Sequence, residues 1–516
     1  MSSSLFLLVF VSLLPFSLSQ PPRRFYINCG GSSPIQYNGH RWVPDSNYIS
    51  VGENRTVPES SVLPLLSTVR SFGQEGNAHM KFCYQIGPVI RSARYMVRTT
   101  YFYGGVNGNR YENPPVFDQI VDGTLWGLVN TTEDYGHNMS TYYEGIFRAV
   151  GRTMSVCIGV NELTDSDPFI SAIELVMLEA SVYNSTDFGS FGLSLVSRNN
   201  FGYTGRFIRS PDDRFDRFWN PFGPQQGVAQ VPNVSVSGFW NLPPAQIFAT
   251  HLTVSEGPME IQWPDGPLSS STYYIALYFA DDRASSSGRS FNISINNVPY
   301  MHNLTVTSSG VAVFATQWPL EGLTRIRFTP MDGSDASPLI NGGEIFNVLA
   351  LGKRTHVRDV IVLETIKRSL LNHPEDWIGD PCFPAGYSWT GITCSNGTRV
   401  RIISINLMNM GLQGYLSPDI ANLTALNTVM LGNNSLSGVI PSSVSQLNHL
   451  EILGLENNRL SGTIPSSLGE IRSLRELHLE NNNLNGTVPS NLLQKPGLRF
   501  TFTPGNSFSQ SAGQNT

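Results

Sequence analysis

From residue 402 onward the sequence repeats every 24 residues, and no other feature limits so strongly what this part of the chain can become. The units begin at Ile402, Leu426, Leu450 and Leu474, with a partial fifth beginning at Leu498. Apolar residues fall at positions 1, 4, 6 and 11 of a unit: Leu450, Leu453, Leu455 and Leu460 in the third. Asn holds position 9 (Asn434, Asn458, Asn482) and Gly position 13 (Gly438, Gly462, Gly486). A unit this short cannot bury its own apolar side, so the units must stack into one continuous core. Stacking would strand backbone groups at the turn after each strand, and the Asn side chains are suited to satisfy them. The first unit departs from the pattern, with Met410 in the Asn position, as a terminal unit would.

These are leucine-rich repeats, and "LSGVIP", "LSGTIP" and "LNGTVP" resemble the plant extracellular subclass. Upstream lies "HPEDWIGDPCFPAGYSWTGITC", in which Cys382 and Cys394 have the local spacing of one bridge. With Trp377 and Trp389 the segment looks like the N-terminal cap that closes the first apolar layer of such an array. Val357, Val360, Leu363, Ile366 and Leu370 recur at helical spacing before it, which predicts a short amphipathic helix.

A chain of 516 residues is too long for one core, so three or four compact units are expected. Gly (47) and Pro (33) are plentiful and charged residues are 14%, a balance that favours turn-rich β structure. The net charge of −6, with no basic stretch, argues against nucleic acid as a partner. Residues 1–19 read as a secretory signal peptide built on the apolar run Leu5 to Phe16, although no basic residue precedes it. No later apolar run reaches 18 residues, so the mature chain is expected to be soluble, or else to have its anchor beyond Thr516. Sequons begin at Asn54, Asn130, Asn138, Asn184, Asn233, Asn292, Asn303, Asn396, Asn422, Asn433 and Asn485, which predicts a heavily glycosylated surface. Of Cys29, Cys83 and Cys157 at least one is free or bonded elsewhere, and the cysteine spacing fits no zinc site.

Residues 25–352 lack the 24-residue period and carry short β-rich runs between Gly, Pro, Asn and Ser turns, the pattern of antiparallel sandwiches. The segment looks duplicated: "YMVRTTYFYGG" and "PFISAIELVML" in one half answer to "YYIALYFADD" and "SPLINGGEIFNVLAL" in the other. The join falls near residues 194–205. "FYINCGG", "KFCYQI", "VCIGV", "IRSPDDRFDRFW" and "NGGEIFNV", followed by "DWIGDPC" and the repeats, resemble the plant malectin-like receptors. The resemblance covers essentially the whole mature chain and implies a mainly β fold: tandem malectin-like β-sandwiches followed by a short α/β leucine-rich-repeat solenoid. The expected units are 25–193, 194–352, a linker helix and bridged cap over 353–400, repeats over 402–500 and a flexible tail over 501–516.

Functional candidates follow from chemistry. "SPDDRFDRFW" clusters Asp212, Asp213 and Asp216, but Arg214 and Arg217 interleave, so a salt-bridged loop is favoured over Ca²⁺ binding or paired-carboxylate hydrolysis. The nine His residues show no metal or triad spacing, and no nucleophile elbow or phosphate loop is present; neither enzyme activity, metal nor cofactor is expected. The family is named after an animal lectin domain that holds a glucose disaccharide between aromatic side chains. That resemblance makes Tyr101, Phe102, Tyr103 and Trp126 candidates for stacking on a sugar, against the alternative that they face the core. Plant members are also tied to peptide ligands. On the repeats, Thr428, Met430, Gly432, Ile452, Gly454, Glu456, Glu476, His478 and Glu480 are expected on the concave face, whose acidic last row suits a basic partner segment. Gly379, Asp380, Pro381 and Cys382 match a junction that the family links to ectodomain release and receptor stability. The chain therefore reads as a non-catalytic cell-surface receptor ectodomain. It would bind a wall glycan or secreted peptide through the sandwiches and dock co-receptor ectodomains through the repeats. The alternative is a structural, carbohydrate-binding wall protein without signalling.

Overall fold

The computed structural model describes residues 22–509 apart from 59–61, 74–79, 108–113, 137–138, 224–233, 282–287 and 335. The expected signal peptide, the sequons at Asn138 and Asn233 and the last seven residues lie outside the described residues.

One 11-stranded sheet runs through the whole of the first 350 residues. Its principal strands are β1 (Arg24–Asn28), β2 (Arg94–Tyr101), β3 (Thr141–Arg148) and β4 (Ala172–Met177). They are followed by β5 (Phe191–Phe201), β6 (Leu268–Phe279), β7 (Val311–Gly322) and β8 (Gly342–Ala350). The order across the sheet is β1-β4-β2-β3-β5-β8-β6-β7, with Ile35–Tyr37 and His40–Pro44 beyond β1. Residues 193 and 194, on either side of the expected join, sit inside β5. That strand pairs with β3 on one side and β8 on the other. Each half of the sheet is covered on one face by its own four-stranded sheet. Lys81–Ile86, Met154–Gly159, Val116–Val121 and Thr124–Asn130 close the first sandwich; Met259–Gln262, Arg325–Pro330, Arg289–Ile295 and Val298–Val306 close the second. Two separate apolar cores result, one under each cover.

Across six consecutive strands the shared sheet carries a buried row of charge. Glu174 on β4 accepts from Arg98 on β2 (2.9 Å), and Arg98 also donates to Glu144 on β3 (2.8 Å). Glu144 in turn accepts from Arg198 on β5 (2.7 Å), which donates to Glu344 on β8 (2.6 Å). Tyr278 on β6 ends the row by donating to Glu344 (2.6 Å). The strand registers place Arg98 opposite both Glu144 and Glu174, and Arg198 opposite Glu344. The "SPDDRFDRFW" loop lies over this row and is salt-bridged, as its alternating charges suggest. Arg217 pairs with Asp213 (2.9 Å), Arg209 with Asp216 (2.6 Å), and the Phe218 ring lies 3.6 Å beneath the Arg98 guanidinium.

The repeats form two ladders, parallel after an antiparallel first pair in each, on opposite sides of one leucine core. Thr428–Met430, Ile452–Gly454, Glu476–His478 and Arg499–Thr501 stack in register on one side. The Asn ladder behaves as the spacing requires. Asn458 accepts from the Leu436 N–H (2.9 Å) and donates to the Leu431 carbonyl (2.9 Å); Asn482 does the same one repeat later for Leu460 and Leu455. The stack continues past residue 500, where a flexible tail was expected. Asn506 accepts from Leu484 N–H (2.9 Å) and Ser507–Phe508 adds a strand, so residues 501–509 complete the fifth turn of the solenoid. The linker helix α1 spans Val357–Ser369, but its buried face is Val362, Leu363 and Ile366 with Asp359. Val357, expected on that face, is 69% exposed. Asp359 takes the buried place because Arg401 holds both of its oxygens (2.8 and 2.9 Å).

Removing one member of the charge row leaves an opposite charge buried and unpaired. Glu144→Gln or Arg198→Met should therefore cost about 3–5 kcal/mol in urea unfolding. Arg214→Ala, which breaks an exposed pair with Glu179, should change stability by less than about 1 kcal/mol.

Candidate functional site

The aromatic residues read as sugar-stacking candidates are interior. Tyr101, Tyr103 and Trp126 are 1%, 3% and 5% exposed. Tyr101 donates to Gln119 (3.3 Å) and packs edge-on against Phe117 and Phe169. Trp126 donates its indole N–H to Ser194 (3.0 Å) and packs on Phe147. Phe102 is buried with them. A sugar ring needs an open aromatic face, and all four rings lie in the first core instead, three of them consecutive where the chain leaves its strand at Tyr101.

An open pair of aromatic rings lies in the second sandwich. Trp240 is 57% exposed and packs on Phe314 of β7, itself partly exposed, with ring centroids 5.4 Å apart. They border a cavity of about 540 Å³ over the outer face of β6 and β7. Its lining includes Ser235, Ser237, Ser309, Asn241 and Tyr278, and no charged residue among the described ones. Asn241 fixes the floor: its side chain donates to the hydroxyls of Tyr274 (2.8 Å) and Tyr278 (3.0 Å). Through Tyr278 that floor is bonded to Glu344 and the row of buried charge. Nothing in "SGFWNLPP" (residues 237–244) announced this. Trp240 stands beside Phe239, which is buried, and only the fold distinguishes the two.

A second constellation joins the first sandwich to the repeat cap. Cys83 and Cys157 face each other on neighbouring strands and form a disulfide, leaving Cys29 as a buried free thiol. Ile120, Ile378 and Tyr387 pack around that disulfide. Gly379 lies against it with φ 76°; a Cβ there would stand 3.1 Å from Cys83 Sγ. Both the backbone conformation and the lack of space demand glycine. Lys81 reaches across to donate to the carbonyls of Asp380 (2.6 Å) and Phe383 (2.8 Å). The Asp380 carboxylate accepts from the N–H groups of Thr355 (3.0 Å) and Cys382 (2.9 Å). Tyr387 donates to Asp118 (2.6 Å). Cys382 and Cys394 are bonded as expected, so Gly379, Asp380, Pro381 and Cys382 sit between two disulfides.

On the repeats, the concave-face candidates lie on neighbouring strands. His478 bridges Glu476 (3.2 Å) and Thr501 (2.8 Å), and Thr501 donates to Glu480 (2.6 Å). The Glu456 carboxylate covers Gly432 and Gly454, where a Cβ would come within 2.2 Å and 3.1 Å of its oxygens. Thr428, Met430 and Ile452 are half-buried beside them. No group of three or more His, Cys, Asp or Glu among the described residues is placed to hold a metal. Asp213 is occupied by Arg217 and by the Trp219 indole N–H (2.9 Å), so the Asp212–Asp213 pair is not free for acid–base work.

A malectin-like domain family matches residues 27–348, and a leucine-rich repeat family matches residues 424–484. A putative leucine-rich repeat receptor-like serine/threonine-protein kinase of Arabidopsis thaliana is 31% identical over 404 residues, covering 75% of this chain and 44% of the relative. A probable LRR receptor-like serine/threonine-protein kinase of the same plant is 31% identical over 450 residues, covering 81% and 46%. The chain thus spans less than half the length of these relatives. Among solved structures it is similar to the ANX2 ectodomain of Arabidopsis thaliana (TM-score 0.52, 17% identity, covering 63% of this chain and 96% of that one). The plant receptor-like kinase FER matches with TM-score 0.50, 19% identity, and coverage of 63% and 96%.

Burial holds the Lys81 ammonium at about 8, against the pull of Asp380 and Asp376. An unfolded chain, with this lysine near 10.5, binds more protons between those two values, so stability rises with pH across that window. The contribution is about 3 kcal/mol. Lys81→Met should remove that rise, read as the difference between wild-type and variant unfolding midpoints from pH 8 to 10.5.

Proposed function

We propose that this chain, which belongs to the malectin-like domain family and carries leucine-rich repeats after that domain, is a non-catalytic receptor ectodomain. Its malectin-like part binds an extracellular ligand, a wall glycan or a secreted peptide, and its repeats dock a partner receptor. The units of the proposal are those expected from the sequence, 25–193 and 194–352 for the sandwiches and 353–400 for helix and cap, with the repeats extended from 402 to 509. The observation that carries it is the uncharged cavity beside Trp240 and Phe314. An open indole and phenyl ring offer a flat apolar face, and the serine hydroxyls and Asn241 around them offer hydrogen bonds, which together suit a neutral ligand.

The acidic face around Glu456, Glu476 and Glu480 suits a basic surface on the partner. The joint at Gly379 to Cys382 gives the arrangement a mechanical sense, because it fastens the ligand-binding part to the docking part. Relatives that are receptor-like kinases support a place at the outer face of the plasma membrane; among the described residues no helix is long and apolar enough to cross a membrane.

The test is binding of the secreted, glycosylated chain to immobilised wall oligosaccharides and to secreted peptides. Trp240→Ala should weaken ligand binding at least about tenfold with unchanged unfolding, in keeping with the loss of one stacked ring. Tyr103→Phe should leave binding intact. Binding indifferent to Trp240 would remove the site, and silence toward both ligand classes would remove the reading.

A further inference from the structure

An open β-sheet edge presents unpaired N–H and C=O groups, and proteins normally shorten it, charge it or cover it. Among the described residues the edges are guarded in these ways, or by a sequon, with one exception. Ile35–Tyr37, at one end of the large sheet, is three residues long. Met259–Gln262 is four residues long and carries Glu260. The outer strands of the solenoid ladders are two or three residues each. Lys81–Ile86 lies beneath the repeat cap, with Lys81 bonded into it. Phe169–Ile170, Asn220–Phe222, Leu252–Thr253 and Leu339–Ile340 are two or three residues each, and three longer edges carry sequons: Asn54 in Glu53–Thr56, Asn130 at the end of Thr124–Asn130, and Asn303 in Val298–Val306, all three exposed. A glycan on each would keep another strand away.

The exception is β7, the last strand of the large sheet. It is 12 residues long and pairs only with β6 among the described residues; its far end is guarded by Pro319 and Glu321 and by a register shift between Ala315 and Trp318, which leaves the stretch from Val311 to Ala315 as the regular open edge. From Val311 to Trp318 it reads "VAVFATQW", eight residues without a charge, a proline or a sequon. Phe314 is exposed on it and leans on Trp240, so the uncharged cavity lies along the same stretch. Val313 turns into the second core while Ala312 and Phe314 line the cavity. A strand laid beside β7 would alternate likewise, offering every second side chain to the Trp240 side.

We propose that β7 is a docking edge for an extended, uncharged segment of a partner polypeptide, which joins the sheet as its next strand beside the Trp240 cavity. Backbone pairing would supply the affinity and the alternate side chains the selectivity, as in strand addition generally. The absence of charge along the edge and in the cavity sets the chemistry of the segment, since a charged side chain would be desolvated there without a partner. The proposal rests on the malectin-like part being the ligand-binding part, and goes further in naming the edge and the class of partner.

The experiment uses the glycosylated chain and a synthetic probe, acetyl-Thr-Val-Thr-Phe-Thr-Val-Thr-amide, with amide hydrogen exchange as readout. The probe should slow exchange saturably, about tenfold, at alternate amides of β7 and at no sequon-bearing edge. Phe314→Asn creates a sequon with Thr316 and should abolish the protection by placing a glycan on the edge. Phe314→Ala removes the ring without adding a glycan and should keep it. Loss in both variants would show side-chain capture and overturn backbone docking, as would protection spread equally over the other edges. β7 amides already slow in the free chain, with a dimeric mass, would assign the edge to a second copy and overturn the partner. No protection, with Trp240-dependent ligand binding intact, would sink this proposal and leave the receptor reading standing. Protection without any Trp240-dependent ligand would do the reverse.

Discussion

The two sandwiches hold together because charge crosses their boundary inside the sheet. Glu174, Arg98, Glu144, Arg198 and Glu344 stand on successive strands, and the middle contact, Arg198 to Glu144, spans the seam between β3 and β5. That seam is short in backbone terms, with register pairs only at Gly145–Ser194 and Ile146–Leu193. Side-chain charge compensates for the scarcity of main-chain pairing. Burial alone would push the Glu144 carboxyl upward, yet Arg198 and Arg98 on its two sides hold it below its ordinary value. Each ion is tolerable in the interior because the next one answers it. The loop from Arg209 to Trp219 closes the row from above, which explains why a stretch so rich in carboxylates is structural rather than catalytic.

The same row reaches the cavity. Asn241 holds Tyr278, Tyr278 holds Glu344, and Glu344 also accepts from Arg198 and from the Tyr183 hydroxyl (2.6 Å). The floor beneath Trp240 is thus fixed by partners on the neighbouring strands β8 and β5, while the indole above it is 57% exposed. At the other end of the first sandwich the fastening is different in kind. There a lysine donates to two carbonyls and a glycine lies flat on a disulfide, so the joint depends on close backbone approach more than on charge. Tilting the cap would pull Lys81 from both carbonyls and open Gly379 from the sulfur atoms together. The contacts therefore favour one relative placement of the sandwich and the repeats.

How much of this could be read in advance depended on how far apart the cooperating residues lie. The repeats were legible up to residue 500 because each contact recurs after 24 positions; Asn458 and Asn482 do what their spacing says, whereas the last turn, where Asn506 stands in a stretch without the Leu and Gly signature, was not. Cys382 and Cys394, twelve apart, were legible too. The loop at Asp213 and Arg217 was legible as a salt-bridged loop, since its main pair is four residues apart. What it covers was not, because Arg98 and Glu344 come from strands more than a hundred positions away on either side. Cys83 could not be matched to Cys157 over Cys29 without knowing that their strands are neighbours. The aromatic candidates failed for a related reason. Tyr103 and Trp126 were chosen by residue type within stretches matching the family, and exposure is settled by which face of a strand meets the second layer. Val357 shows the same limit on a helix: the periodic stripe was real, but Asp359, anchored by Arg401, rotated the buried face by a fraction of a turn.

The two surfaces proposed for partners differ in chemistry, and their separation matters. The cavity at Trp240 is uncharged and lies on the second sandwich, whereas the concave face of the repeats is acidic and lies beyond the cap. A partner suited to one is poorly suited to the other: a basic segment gains nothing from the serine and phenyl lining, and a neutral strand would leave Glu456 and Glu480 desolvated. The first sandwich contributes few open aromatic faces of its own. It is gripped on one side by the charge row and on the other by the Gly379 joint. Its place in the molecule is that of the rigid element that holds the neutral surface at a fixed position relative to the acidic one.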